Sequence, residues 1–188
     1  MVQKWDNIDF EIILRLIKGN VHIRELSKEL KVPHSTISRR LFFLRKKSVL
    51  DYKTEGKNKS YFLKKNIISR KAIIISENYK CIKTVTRYPI LMPIFQDIIE
   101  KNKNSLIVLF GSYAKNNPKE ESDIDIYIET TDIKVKNEVE KINDLINVKI
   151  GKFNPDDLLI REIIKNHVII SGVEEYYEKI KFFGQTKE

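Results

Sequence analysis

Residues Gly111–Glu129 read GSYAKNNPKEESDIDIYIE, and the stretch joins two unlike features. A Gly-Ser pair closes the nearly all-apolar run Ser105–Phe110, whose composition predicts a short strand buried on both faces. After ten intervening residues, Asp123 and Asp125 stand one residue apart in a second expected strand, Asp123–Ile128. Alternate side chains of a strand share a face, so both carboxylates and Tyr127 point one way while Ile124, Ile126 and Ile128 point the other. Adjacent carboxylates repel and raise each other's pKa unless a cation lies between them. Hard divalent ions such as Mg2+ favour such an oxygen-rich arrangement. Gly111 has no Cβ and lets backbone approach a phosphate closely. The Ser112 hydroxyl and nearby N–H groups can then bind phosphate oxygens.

Phe110-Gly111-Ser112, ten residues, then Asp123-Ile124-Asp125-Ile126 resembles the signature of the DNA polymerase β-like nucleotidyltransferases. It is most similar to their minimal members, whose loop reads GSxAxG…SDIDL where this chain has GSYAKN…SDIDI. The resemblance covers about residues 90–180. It implies an α/β domain with a mixed sheet and transfer of a nucleoside monophosphate from an NTP. Gly111 and Ser112 would hold the triphosphate, with Lys115 in the place of a commonly basic residue. Asp123 and Asp125 would be the catalytic pair and hold one or two Mg2+ (or Mn2+) ions. The family usually carries a third carboxylate on a later strand. The corresponding segment here is Asn147-Val148-Lys149-Ile150, whose alternate positions Asn147 and Lys149 are not acidic. Asn116 likewise stands where the family commonly has Gly.

Upstream, the charge is uneven. Residues 1–65 hold 16 Lys+Arg against 7 Asp+Glu, a net of +9, while residues 66–188 hold 19 of each. An excess confined to one part of the chain suggests a polyanionic partner for that part. Its pattern is also specific. Asp9–Ile17 has apolar residues at helical spacing and stops at Gly19-Asn20. Val21–Ile23 reads as an extended link, Arg24–Leu30 as a short helix, and Pro33 as the break before a third helix from about Ser35 to Lys47. Val49–Tyr52 and Ser60–Leu63 flank a polar turn containing Gly56 and read as a hairpin. Three helices and a hairpin in this order resemble the winged helix-turn-helix domains of bacterial and archaeal regulators. Ser35, Thr36, Ser38, Arg39 and Arg40 on the third helix would then face double-stranded DNA, with Lys53, Lys57 and Lys59 on the wing meeting phosphates.

Between the two lies a helical stretch, expected as Ser69–Thr86, a break at Pro89, and a second helix ending near Lys101. Downstream, helices are expected over Val135–Ile146, Pro155–Ile164 and Val173–Phe182, with a strand over Asn166–Gly172. The expected architecture is two-domain α+β: a winged helix-turn-helix over 1–65, a helical connector over 66–103 and a nucleotidyltransferase-like domain over 104–188. The single Cys81 excludes an intrachain disulfide and a cysteine-rich zinc site. No apolar run approaches the roughly 18 residues of a membrane span, and the first residues lack the apolar core of a signal peptide. A cytoplasmic, possible homodimeric protein with no membrane partner is expected. Two functions remain open: an NTP- and Mg2+-dependent transferase that also binds DNA, or a transcriptional regulator whose second domain senses nucleotide or dimerises.

Overall fold

The computed structural model describes residues 4–103 and 105–184. The chain divides into two compact units, Met1–Ser76 and Glu77–Glu188.

In the first unit, α1 (Asn7–Ile17) opens on a reciprocal cap. The Asp6 carboxylate accepts from the Ile8 N–H and the Asp9 carboxylate from the Asp6 N–H. β1 (Val21–His22) and α2 (Ile23–Leu30) follow, and α2 stops at Lys31 in the left-handed region, φ 54°. Pro33 caps α3 (His34–Lys46), in line with a proline that cannot continue the preceding helix. The hairpin is β2 (Leu50–Glu55) and β3 (Asn58–Leu63), in antiparallel register from Leu50↔Leu63 to Glu55↔Asn58. Val21–Ile23, expected as a link, instead contributes β1, which pairs antiparallel with β3 and gives the sheet order β1-β3-β2. Ile12, Ile13, Leu26, Ile37, Leu41 and Leu44 are fully buried among these elements. Three helices around a short sheet that ends in a hairpin make this unit a winged helix-turn-helix.

The helix α4 (Ile67–Arg87) runs from the first unit into the second. Pro89 follows it, and α5 (Leu91–Lys101) carries Pro93 in its first turn, where the missing N–H costs no helical bond.

The second unit is built on β4 (Ile107–Leu109), α6 (Gly111–Ala114), β5 (Ile124–Glu129), α7 (Ile133–Glu140), β6 (Ile146–Gly151), α8 (Leu158–Lys165), β7 (Val168–Ser171) and α9 (Val173–Lys179). The strands form one mixed sheet in the order β6-β5-β4-β7. β5 and β6 are parallel, whereas β4 is antiparallel to both β5 and β7. Ile124, Ile126 and Ile128 are fully buried on one face against Leu91, Phe95 and Ile98 of α5. That placement follows from the period-two alternation. The expected helix to Ile146 ends earlier, at Glu140. Asn143 is the cause: its side chain accepts from the Leu145 N–H at 2.9 Å, a local bond that competes with helix continuation.

Candidate functional site

At the end of β4 the chain turns sharply into α6 through Gly111, whose φ of +70° lies in the left-handed region. A Cβ built on Gly111 would lie 2.0 Å from Asp125 Oδ2. Only a residue without a side chain can take this backbone and admit the Asp125 carboxylate beside it. The Phe110 N–H donates to the Asp125 carbonyl at 2.9 Å, which ties the turn to β5. The two ends of the diagnostic stretch are therefore in contact. Asn116 has φ 58°, and asparagine tolerates that region where the resembling family has glycine.

Asp123 is exposed immediately ahead of β5, and Asp125 is half-buried on its first turn of the pleat. Parallel pairing sets Asp125 against Asn147 and Tyr127 against Lys149. Asn147 Nδ2 donates to Asp125 Oδ1 at 2.8 Å. Burial raises the Asp125 pKa and the Asp123 charge adds to the rise; Asn147, Lys149 and Lys115 oppose it. These side chains thus share one electrostatic environment. Tyr127 closes the far end of the face. It is buried, its hydroxyl donates to the Gly151 carbonyl at 2.9 Å, and its ring meets Phe153 edge-on.

Ser112 lies half-buried in α6, and Lys115 is exposed at its C-terminal cap. Lys115 Nζ is 2.7 Å from Glu162 Oε1 of α8. Its ammonium lowers the Glu162 pKa. An exposed pair of this kind is weak and readily exchanged for a stronger anion. Among the described residues no group of three or more His, Cys, Asp or Glu side chains is arranged to hold a metal. Asp123 and Asp125 are the acidic donors at the start of this face, with an amide beside Asp125, while Glu129, beyond Tyr127, accepts from the Phe153 N–H and Lys179.

In the winged unit, Ser35, Ser38 and Arg39 are exposed along α3, Thr36 is half-exposed, and Lys53, Lys57 and Lys59 are exposed on the hairpin. Arg40 is different and corrects the expectation that it faces DNA. It is buried at 7% exposure, its Nε donates to Asp9 Oδ1 at 2.7 Å, and its guanidinium also bonds the Lys4 carbonyl at 2.9 Å. Asp9 is fully buried, so Arg40 is committed to neutralising it and to joining α3 to α1.

The exposed face of α3 extends beyond the residues singled out from sequence, through Phe42, Arg45 and Lys46. The guanidinium of Arg45 and the Lys59 ammonium lie 4.9 and 4.3 Å from the Tyr52 ring centroid, which links α3 to the hairpin. The spacing Ser35, Ser38, Phe42, Arg45 carried that signal in the sequence. The Lys115–Glu162 pair had no local signal, because α8 lies far along the chain.

The chain matches the family model "Polymerase beta, Nucleotidyltransferase" over residues 95–175. It is 41% identical over 80 residues to the Methanocaldococcus jannaschii protein named "Putative protein adenylyltransferase MJ0128", covering 40% of this chain and 76% of the relative. A second protein of that organism, "Putative protein adenylyltransferase MJ0126", is 34% identical over 84 residues, covering 43% of this chain and 80% of the relative. Solved structures with partial likeness include reduced HlyU from Vibrio cholerae, 20% identical with a TM-score of 0.36 over 39% of this chain and 78% of that one. Lactococcus lactis ZitR in complex with DNA is 15% identical with a TM-score of 0.38 over 54% of this chain and 72% of that one. By its identity to the first relative across most of that protein's length, the chain belongs to the polymerase beta nucleotidyltransferase family.

Proposed function

We propose that the protein binds a nucleoside triphosphate with a divalent cation at Asp123 and Asp125, transfers its nucleoside monophosphate to an acceptor, and binds double-stranded DNA through its winged unit. The observation that carries the first part is the fit of the Asp125 carboxylate against Gly111, a contact that any side chain would destroy. Mg2+ suits this donor set, since it is commonly held by one or two carboxylates while water and substrate phosphates complete its shell. Bound there, Mg2+ or Mn2+ would supply charge neutralisation for the triphosphate.

Gly111 and Ser112 would present backbone N–H groups and a hydroxyl to phosphate oxygens, and Lys115 would exchange Glu162 for a phosphate. Asn147 steadies Asp125 by donating to one carboxylate oxygen. An acceptor hydroxyl oxygen would bond to the α-phosphorus, its proton passing to solvent, while the bond to the β-phosphate oxygen breaks and pyrophosphate leaves. The two relatives are named for adenylyl transfer to protein, which makes ATP and a protein hydroxyl the first pair to try.

DNA binding is supported by the net +9 of residues 1–65 and by the exposed polar and basic face of α3 beside the lysines of the hairpin. A homodimer would match the two-fold symmetry of paired half-sites. α4 offers a surface for it, with Ile68, Ile75 and Ile82 exposed at seven-residue spacing. A second reading, regulation by nucleotide sensing without transfer, is favoured by Asn147, an amide at the register position beside Asp125.

Incubation with α-labelled NTPs and Mg2+ or Mn2+ separates the readings. Transfer of label by the wild type, lost in Asp123→Ala with Asp125→Ala, supports the transferase. Metal-dependent nucleotide binding with no labelled product supports the sensor, and the absence of both transfer and binding contradicts both readings. A salt-dependent shift of duplex DNA, weakened by Arg39→Ala with Lys46→Ala, tests the winged unit; no shift at low salt would count against it.

A further inference from the structure

Phe42 stands out on the outer face of α3. Ile37, Leu41 and Leu44 point into the core, and the outward positions otherwise carry Ser35, Ser38, Arg39 and Lys46. Phe42 is 55% exposed among them. Its ring therefore adds little to the core of its own unit and presents apolar surface to water amid the polar and basic side chains of the outer face of α3. The surround is cationic: Lys46 Nζ lies 4.7 Å from the ring centroid, and Arg39 precedes Phe42 by a turn of the helix.

Charge indicates the partner. A phosphate backbone would satisfy the cations but offers an aromatic ring nothing. The ring requires an apolar group set between phosphates. With side chains, an α-helix is about 10–12 Å across, so it enters the major groove, about 12 Å wide, and not the minor groove, about 6 Å wide. Hydrogen-bonding groups make up the major-groove base edges, with the thymine C5-methyl as the apolar exception. We propose that Phe42 reads a thymine methyl in the major groove, so that the protein selects T at one position of each bound half-site. Resting on the DNA-binding reading above, the inference adds to it the side chain that gives base preference, while Arg39 and Lys46 supply sequence-independent affinity.

The test uses the full chain. A randomised duplex pool is enriched for binding, and the selected duplex is remade with each thymine replaced singly by uracil, which lacks only the C5-methyl. Burial of one methyl group predicts that one substitution per half-site weakens wild-type binding by about fourfold. Phe42→Ala should bind the thymine and uracil duplexes equally, with the salt dependence of the wild type, because the ring neutralises no phosphate. A wild type indifferent to uracil at every position overturns the inference, as does a Phe42→Ala variant that keeps the discrimination. Either outcome would leave DNA binding intact and remove Phe42 from base reading. Failure to enrich any duplex would instead overturn the DNA-binding reading, and this inference with it. The thymine–uracil comparison on the wild type stands whether or not the variant folds.

Discussion

Gly111 and Arg40 are single residues whose roles are set by one neighbour each. At Gly111 a methyl group would meet Asp125 Oδ2 at 2.0 Å, on a backbone with φ +70° that L side chains rarely adopt. Gly111→Ala is therefore expected to displace the Asp125 carboxylate and to abolish metal-dependent nucleotide binding, measured by calorimetry, while far-ultraviolet circular dichroism changes little. Arg40 is the charge partner of the fully buried Asp9. Removing one member of a buried pair strands the other, at about 3–5 kcal/mol. Arg40→Ala should lower unfolding stability by that order in urea titration, whereas Arg39→Ala should leave it nearly unchanged. Loss of DNA binding in an Arg40 variant would consequently report unfolding, not recognition. Helical spacing separates the two arginines: Arg40 falls three residues after Ile37 and four before Leu44, on the buried face, whereas Arg39 falls on the outer one. What spacing does not supply is the partner of Arg40, because Asp9 lies on another helix.

Among elements, α4, β7 and α9 in the second unit are joined by a buried polar cluster that no local pattern announces. Glu77 of α4 accepts from the Tyr177 hydroxyl of α9 at 2.7 Å and pairs with Lys80 at 3.2 Å. His167, just before β7, donates from Nδ1 to the Ile163 carbonyl at 2.9 Å and turns Nε2 towards Glu77 Oε1 at 3.7 Å. Burial alone would raise the Glu77 pKa, but Lys80, His167 and Tyr177 overcome it and hold the group at about 2, below its ordinary 4.5. Stability from this carboxylate is present above about pH 4.5 and is lost as the pH falls towards 2. Burial, with Lys80, lowers the His167 pKa below 6.5, so the unfolded chain takes up a proton that the folded one refuses. Stability should begin to fall as the pH drops through about 6.5, and again below about 4.5. Thermal unfolding followed from pH 8 to 3 checks both steps; His167→Gln should remove the upper one and shrink the lower, because His167 helps to hold Glu77 down. The strands and the split of their faces were legible in the sequence, because alternation of Ile124, Ile126 and Ile128 is a local signal. The parallel partner of Asp125 was legible as a candidate, since Asn147 fell on the correct alternate position. The end of α7 was missed, because helix periodicity persists past Glu140 while the Asn143 turn acts through one side-chain bond.

For the whole molecule, the division of charge is the broadest constraint: +9 within residues 1–65 and balance in the remainder. No helix among the described residues is long and apolar enough to cross a membrane. The chain carries a basic winged unit and a nucleotidyltransferase unit, the second with Asp123 immediately ahead of β5 and Asp125 on it. The central claim is that Asp123 and Asp125 form a metal-dependent nucleotide site despite the amide at Asn147. Calorimetric titration of the full chain with ATP tests it most directly, in Mg2+ and then in EDTA, beside an Asp123→Asn, Asp125→Asn double variant whose folding is verified by circular dichroism. The account predicts binding by the wild type in Mg2+ that disappears in EDTA and in the folded double variant. Binding that is indifferent to the metal, or that survives loss of both carboxylates, would contradict it.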